Sequence, residues 1–284
     1  MFRWTEVCGA RPGVTGIVNV TPDSFSDGGR FLDADAAVAR GVALAAAGAA
    51  LVDVGGESTR PGAEPVGEAE ELRRVVPVVT GLTEAGVSVS IDTTKAAVAA
   101  AAIDAGASVV NDVSAGRFEP EILAVVAERG VGVVLMHMQG EPRTMQDAPD
   151  YDDIVAEVAS FLAARLDAAV TAGVDPGACC VDPGVGFGKT VDHNLALLAR
   201  LDEIVERLDA PVLVGTSRKR FLGTILRDVA GDVGEPPPDQ RDDATLATSV
   251  WALDRGARMV RVHDARPAVR AVALLDAMRH ADAA

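Results

Sequence analysis

The sequence predicts a closed barrel of eight parallel strands, each followed by a helix, built as a single domain of 284 residues. Short β-branched apolar runs alternate along the chain with longer alanine-rich amphipathic segments. The runs are apolar on both faces, which is typical of a parallel sheet covered by helices. Eight such units favour closure into a (β/α)8 or TIM barrel over an open doubly wound sheet, and roughly 250 residues is the usual size of that barrel.

The eight units can be placed along the chain, with a core at about residues 14–280. The predicted strands are residues 14–20, 50–54, 88–92, 108–112, 132–137, 178–182, 211–215 and 258–263. The predicted helices are residues 34–47, 68–82, 95–105, 120–129, 153–172, 192–208, 242–255 and 266–279. Residues 231–240 contain three consecutive prolines and predict a surface loop.

Three of the units enter their strands in the same way, because a glycine ends the helix and a polar residue follows five positions later. The polar residues are Asp53, Asn111 and Arg261. Helix-glycine-strand junctions are generic in α/β proteins and account for the glycines. They do not account for the polar residues, which fall where the strands of a barrel end and where its chemistry lies.

Charge and composition exclude several classes of protein. The formal net charge is −16, which repels nucleic acid and anionic membrane surfaces, so an anionic ligand must be met locally. The three cysteines fit neither a disulfide framework nor a zinc site and predict buried thiols in a reducing compartment. The first residues lack the apolar core of a signal peptide, and no apolar stretch could span a bilayer. We therefore expect a cytoplasmic protein.

Two glycine-bearing polar loops follow the first two predicted strands. The first reads NVTPDSFSDGG over residues 19–29 and the second reads GGESTRPG over residues 55–62. Either loop alone is equally well explained as an ordinary connection. Together they are longer than such connections require, which favours a lid over a ligand.

The polar side chains of these two loops and of the remaining strand ends fall into two groups by their chemistry. Asp92, Asn111, Asp182 and Lys219 provide acceptors, an amide and a cation, which suit a flat heterocycle with donor and acceptor edges. Asn19, Arg60, Arg261 and His263 suit a phosphate or diphosphate, and Asn19 could ligate a magnesium ion shared with it.

Three further features are weaker signals. The run GVGFGK at residues 184–189 lacks the spacing of a nucleotide-binding loop, so we interpret Phe187 as a stacking side chain. His137 is either a satisfied histidine of the rim or a group that supports the ligand-contacting residues. Asp53 and Asp112 are interpreted as scaffold acceptors for backbone amides.

Taken in order, these motifs resemble those of the bacterial dihydropteroate synthases. Besides the two loops, they are SIDT at 90–93, NDVSAG at 111–116, LMHMQG at 135–140, DPGVGFGK at 182–189, SRKRF at 217–221 and RVHD at 261–264. The resemblance runs from about residue 16 to residue 264. It implies a TIM barrel that condenses 6-hydroxymethyl-7,8-dihydropterin diphosphate with 4-aminobenzoate in folate biosynthesis and is a target of sulfonamides.

The resemblance also implies roles for individual residues, motif by motif. The pterin would be held by Asp92, Asn111, Met136, Asp182, Phe187, Gly215 and Lys219. The diphosphate would contact Asn19, Arg60, Arg261 and His263, with Mg2+ at Asn19. The aminobenzoate would contact Thr59, Arg60, Pro61, Gly62, Lys219 and Arg220. The catalytic set would be Asp27, Asp92, Lys219, Arg261 and His263.

Two other functions remain open from the sequence. A pterin-dependent methyltransferase would keep the heterocycle pocket but would need no diphosphate site. A catalytically silent pterin-binding paralogue would keep the fold but would be expected to lose one of the catalytic residues. The resemblance further suggests a homodimer, and apolar residues of the last helices, among them Trp251 and Met278, suit either an interface or ordinary packing.

Overall fold

The structure is a computed structural model that describes residues 1–21, 30–58, 62–230 and 234–282. Its strands are β1 (Gly13–Asn19), β2 (Leu51–Gly55), β3 (Val89–Asp92), β4 (Val109–Asp112), β5 (Gly132–Met136), β6 (Cys179–Asp182), β7 (Leu213–Val214) and β8 (Met259–Val262). All pairings are parallel and follow the order β6-β5-β4-β3-β2-β1-β8-β7. A single bridge between Val181 and Val212 links the outer two strands. The predicted (β/α)8 barrel is therefore confirmed.

Helices connect and cover the strands. They are α1 (Trp4–Val7), α2 (Arg30–Ala46), α3 (Glu68–Glu84), α4 (Ala96–Asp104), α5 (Glu121–Arg129), α6 (Ile154–Thr171), α7 (Val191–Ala199), α8 (Leu201–Arg207), α9 (Arg220–Ala230), α10 (Asp242–Asp254) and α11 (Ala265–Asp282). No helix among the described residues is long and apolar enough to cross a membrane.

The helices differ from the sequence prediction in two respects. The segment 192–208, expected as one helix, is divided into α7 and α8, because the backbone at Arg200 leaves the helical region (φ −113°, ψ 29°). The helices α1 and α9 were not predicted. The helix α1 has only four residues, too few to show a hydrophobic period. The helix α9 has 11 residues, and its apolar residues Phe221, Leu222 and Ile225 recur with helical spacing, but the polar motif that begins it masked this signal.

An apolar cluster fills the barrel near the amino ends of the strands. It contains Trp4, Cys8, Leu51, Val109, Val134, Cys180, Leu213 and Met259. The Trp4 ring is almost completely buried, and its Nε1 donates a hydrogen bond of 2.9 Å to the carbonyl oxygen of Ala178. The helix α1 thus closes this end of the barrel. The three cysteines are free and buried, as the sequence predicted.

Candidate active site

The predicted polar residues lie at the carboxyl ends of the strands. Asn19, Asp92, Met136 and Asp182 are the last residues of β1, β3, β5 and β6. Asn111 and Arg261 are the second-last residues of β4 and β8. Because all eight strands are parallel, these side chains belong to one mouth of the barrel.

An ion-pair network centred on Arg261 crosses this mouth. The Arg261 Nε lies 2.6 Å from Asp53 Oδ2, and its NH2 lies 2.7 Å from Asp92 Oδ2. Asn111 Nδ2 donates to the same Asp53 oxygen at 3.0 Å. The four side chains, from β2, β3, β4 and β8, therefore position one another.

Asp53 has a different role from the one predicted. From the sequence, Asp53 is expected to accept hydrogen bonds from backbone amides, whereas in the structure it pairs with the side chains of Arg261 and Asn111. Asp53 lies in β2, in register with Ile17 and Ser90, so its backbone is already engaged in the sheet. The apolar run around Asp53 gave no signal for a partner on a strand far away in sequence.

Asp92 lies in an unusual electrostatic environment. Burial raises the pKa of its carboxyl group to about 7, the neighbouring carboxylates of Asp53 and Glu71 act in the same direction, and the Arg261 guanidinium opposes the shift. The guanidinium itself is stabilised by Asp53 and Asp92, which raise its pKa despite burial. A carboxyl group whose pKa lies close to neutral pH can change its protonation state when a cationic group binds beside it.

Lys219 and Asp182 provide a second pair of opposite charges at the same mouth. Lys219 Nζ donates to the carbonyl oxygen of Val185 and lies 4.6 Å from the centre of the Phe187 ring. Burial lowers the pKa of Lys219 to about 8. Burial raises the pKa of Asp182, and the charge of Lys219 opposes that shift. A cation, a buried carboxylate and an aromatic face thus lie together, as the heterocycle prediction requires.

The loop that carries Phe187 is held by several side chains. Lys189 Nζ lies 2.9 Å from both the Phe187 carbonyl oxygen and His137 Nδ1. Asn194 Oδ1 accepts a hydrogen bond of 2.6 Å from the Gly186 amide. At Gly184, where φ is +66°, a β-carbon would lie 1.8 Å from the His137 carbonyl oxygen, so only glycine fits this approach. His137 therefore supports the loop, one of the two roles left open for it.

The loop after β4 is organised by Asp112. One carboxylate oxygen accepts a hydrogen bond of 2.7 Å from the Ser114 amide, and the other accepts from the Gly116 amide. The interpretation of Asp112 as a scaffold acceptor for backbone amides is confirmed. It holds the chain that follows Asn111 in a fixed turn.

Three of the residues predicted to meet an anion are described: Asn19 ends β1, Arg261 lies in β8 and His263 directly follows β8. His263 Nδ1 lies 2.8 Å from Ser217 Oγ, and the same oxygen accepts from the His263 amide at 3.1 Å. Asn19 is in register with Gly55, which is in register with Asp92. Asn19 and Asp92 therefore flank Gly55 at the ends of three adjacent strands.

The other predicted site residues have mixed positions. Asp27, Thr59, Arg60 and Pro61 lie outside the described residues. Gly215, directly after β7, is buried at the mouth, and Gly62 is exposed. Arg220 is exposed at the start of α9, with its Nε 3.4 Å from Glu235 Oε2.

One buried cluster beside the mouth was missed by the sequence analysis. Lys95 Nζ pairs with the carboxylates of Glu57 and Glu71, and the Glu71 side chain is fully buried. These residues line a cavity of about 380 Å³ that also reaches Asp92 and Phe118. The scarcity of lysine was the only sequence signal that could have pointed to Lys95.

A (β/α)8 barrel that holds buried carboxylates, a lysine and an arginine at the carboxyl ends of its strands is typical of the barrel enzymes. The chain matches the family described as pterin binding enzyme over residues 15–263. It therefore belongs to the pterin-binding enzymes, and within them to the dihydropteroate synthase family.

Several relatives support this membership. The dihydropteroate synthase of Mycobacterium leprae is 53% identical over 94% of each chain, and that of Escherichia coli is 44% identical over 94% of this chain and 92% of its own. A Xanthomonas albilineans dihydropteroate synthase with 4-aminobenzoic acid is 48% identical, with a TM-score of 0.86 over 95% of this chain and 93% of that one. The Yersinia pestis enzyme in a sulfonamide drug complex is 44% identical, with a TM-score of 0.87 over 95% of each chain.

Proposed function

We propose that the chain is a transferase that makes 7,8-dihydropteroate and diphosphate from 6-hydroxymethyl-7,8-dihydropterin diphosphate and 4-aminobenzoate. The observation that supports this function best is that two chemically different sets of side chains, one suited to a heterocycle and one to an anion, belong to one barrel mouth. Asp182, Lys219 and Phe187 would form the heterocycle pocket, and Arg261, which pairs with Asp92, would face the diphosphate. A related structure from Xanthomonas albilineans, 45% identical, is a complex with 7,8-dihydropteroate.

The pterin would lie between the buried carboxylates and Lys219. A pterin presents adjacent N–H donors along its amino-pyrimidinone edge, and the Asp182 carboxylate can accept two of them at once. Lys219 would donate to the ring acceptors and Asn111 would supply an amide. Phe187 and the buried side chain of Met136 would line the slot, with Gly215 leaving room at its edge.

The diphosphate would lie against Arg261 and His263, with Asn19 and Arg60 completing the site. Arginine presents a planar fork of donors that matches phosphate oxygens, so Arg261 could contact the anion while Asp53 holds its Nε. A chain with a net charge of −16 needs such a local cationic site for a diphosphate.

Mg2+ is the cofactor we propose for this site, with Asn19 as its protein ligand. The amide oxygen of Asn19 is a hard donor at the end of β1, and Mg2+ usually binds few protein ligands besides phosphate oxygens and water. The described residues contain no cluster of three His, Cys, Asp or Glu side chains that could hold a metal ion. When bound, the ion would neutralise charge on the leaving diphosphate.

The reaction breaks the bond between the pterin methylene carbon and the diphosphate oxygen. Arg261 and His263 would stabilise the leaving diphosphate, and the methylene carbon would become cationic by delocalisation into the ring. Asp92 and Asp27 would stabilise that positive charge as it develops. The amine nitrogen of 4-aminobenzoate would then form the new bond and lose a proton. Lys219 and Asp182 would hold the ring throughout.

The 4-aminobenzoate would bind beside the pterin, near Thr59, Arg60, Pro61, Gly62, Lys219 and Arg220. Arginine and lysine would meet its carboxylate. The sulfonamide drug complex of the Yersinia pestis relative suggests that sulfonamides compete for this position. We also propose a cytoplasmic homodimer, for which the exposed Trp251, Leu274 and Met278 provide apolar contact surface.

The test is diphosphate release by the purified protein given the pterin diphosphate and Mg2+, with and without 4-aminobenzoate. Lys219→Ala and Arg261→Ala should both abolish amine-dependent release. Arg200→Gln is the control, because it removes a surface ion pair, of 2.7 Å to Glu203, outside the mouth. A folded protein that binds the pterin but releases no diphosphate above background would refute the synthase and establish a silent pterin-binding protein.

A further inference from the structure

Arg218 adopts a backbone conformation that its side chain disfavours. Its φ is +59°, and Ala115 is the only other non-glycine residue with positive φ in the part of the chain that the structure describes. Left-handed conformations are uncommon for residues with a β-carbon and persist where the surrounding structure enforces them. Such positions cluster at functional sites, and Arg218 lies between Ser217 and Lys219 in the sequence.

The N-terminal part of α10 and its preceding residue enforce this conformation. The Arg218 amide donates to Thr245 Oγ1 at 3.0 Å, and its carbonyl oxygen accepts from Arg241 NH1 at 3.1 Å. Its Nε and NH2 donate to Asp242 Oδ1 and Oδ2, each at 2.8 Å. The backbone and the side chain of Arg218 are therefore both bound to one neighbouring element.

The residues that bind Arg218 are themselves held by further contacts. Asp242 begins α10, where the helix dipole favours a negative charge, and the Arg218 guanidinium lowers the pKa of the Asp242 carboxyl group. Arg241 is buried and donates a further hydrogen bond of 2.8 Å to the carbonyl oxygen of Pro236. Thr245 Oγ1 in turn donates to the Arg241 carbonyl oxygen at 2.9 Å.

The turn places two side chains in different parts of the mouth. On one side of Arg218, Ser217 Oγ lies 2.8 Å from His263 Nδ1, in the anion site. On the other side, Lys219 Nζ contacts the Val185 carbonyl oxygen and the face of Phe187, in the heterocycle pocket. A change of φ at Arg218 would rotate the chain between these two side chains.

We propose that Arg218 and Asp242 are positioning residues, whose ion pair holds a strained turn that sets Lys219 against the pterin and Ser217 against His263. The inference rests on the proposed function for the identity of the ligand. Neither residue needs to contact a substrate, since each would act through Ser217 and Lys219.

The experiment compares Arg218→Ala, Arg218→Gly and Asp242→Asn with the wild-type protein. Arg218→Ala loses the ion pair and keeps a β-carbon, whereas Arg218→Gly loses the ion pair and adopts positive φ without strain. We expect Arg218→Ala to lower kcat/KM for the pterin diphosphate by roughly tenfold to a hundredfold, the usual effect of misplaced groups, and Arg218→Gly to recover part of that loss. Asp242→Asn should fall between wild type and Arg218→Ala.

The matched control is Arg200→Ala. Arg200 forms a similar two-point pair with Glu203, at 2.7 and 2.9 Å, and longer contacts of 3.2 and 3.4 Å with Asp153, and none of these is a predicted site residue. Its loss should leave kcat/KM unchanged. A purely structural ion pair would lower the melting temperature without changing the dissociation constant for the pterin measured by calorimetry on folded protein.

The proposal is overturned if Arg218→Ala and Asp242→Asn keep kcat/KM and pterin affinity within about twofold of wild type. It is also overturned if a crystal structure of Arg218→Ala leaves Ser217 and Lys219 in place. That second measurement does not depend on turnover. Absence of activity in the wild-type protein would refute the proposed function, while the crystal structure would still decide the role of Arg218.

Discussion

The two ends of the barrel interior differ sharply although the same strands build both. In β6, Cys180 belongs to the apolar cluster and Asp182 to the charged mouth; in β8 the corresponding residues are Met259 and Arg261. Residues two apart point to the same face of a strand and are separated by about 7 Å. Along one face of each of these strands, the interior side chains therefore change from apolar to charged over two residues.

This contrast separates stability from chemistry. The amino end packs apolar side chains against Trp4, which stabilises the fold through burial. The carboxyl end buries charges whose desolvation is only partly offset by ion pairs and hydrogen bonds, as the raised pKa of Asp92 indicates. Changes at the first end should lower stability and spare catalysis, and changes at the second should do the reverse.

The largest effect on activity is expected for Arg261→Met. This substitution removes the guanidinium that would stabilise the leaving diphosphate and leaves Asp53 and Asp92 without their cation. We expect kcat/KM to fall about 10³-fold, the scale of one lost electrostatic contact in a transition state. Steady-state diphosphate release measures it, and a decrease below tenfold would argue against a diphosphate site at Arg261.

The counterpart at the apolar end is Trp4→Ala. Removing the buried ring and its hydrogen bond to Ala178 should lower the free energy of unfolding by about 3–5 kcal/mol. Urea unfolding measures this loss, and kcat at a low temperature should be unchanged for the folded fraction. If kcat of the folded fraction falls together with the free energy of unfolding, the apolar end also affects catalysis and the proposed difference between the two ends is wrong.

A smaller effect is expected for Asp53→Asn, which keeps the shape of the side chain and removes its charge. Arg261 would lose one of its two carboxylate partners and keep Asp92. We expect kcat/KM to fall about tenfold to a hundredfold through misorientation of Arg261. The control is Asp254→Asn, at the end of α10, and equal activities of the two variants would remove Asp53 from the site.

The smallest effect concerns pH. The pKa of Asp92 is raised to about 7, so this carboxylate gains a proton below that pH, and the pKa of Lys219 is lowered to about 8, so this ammonium loses its proton above that pH. Because both charges are needed, kcat/KM should be greatest between about pH 7 and 8 and should fall by less than about tenfold within one unit on either side.

Two variants can show which residue causes the fall of kcat/KM at low pH (the acidic limb) and which causes the fall at high pH (the alkaline limb). Lys219→Arg keeps a charge at all accessible pH values and should remove the alkaline limb from whatever activity remains. Asp92→Asn should remove the acidic limb in the same way. A profile that is flat from about pH 6 to pH 9 would show that neither group titrates in the free enzyme.

Much of the fold was predictable because each strand is a short apolar run between amphipathic helices. All eight strands occur within one or two residues of their predicted ends. The break at Arg200 was not predictable, because the residues on both sides favour a helix and only the backbone angle at one position interrupts it. The helix α9 was hidden by the polar motif that begins it.

The residues that meet at the barrel mouth were largely predictable from the sequence, and the contacts between them were less so. Asp92, Asn111, Asp182 and Arg261 were identified because polar residues at the ends of apolar runs need partners. The pairing of Asp53 with Arg261, the contacts of Lys189 and the turn at Arg218 were not recognised from the sequence. Each acts through contacts with residues distant in sequence, and the contact of Arg261 with Asp53 joins strands 208 residues apart.

The barrel and the residue types at its mouth could both be predicted from the amino-acid order alone. Local periodicity and strand-end polarity are properties of short segments, and eight successive units leave few ways to bury their apolar faces. Which charges pair, which pKa values shift and which backbone is strained became evident only in the folded chain. These properties depend on distances and burial, and they arise only when β2, β3, β4 and β8 bring Asp53, Asp92, Asn111 and Arg261 together.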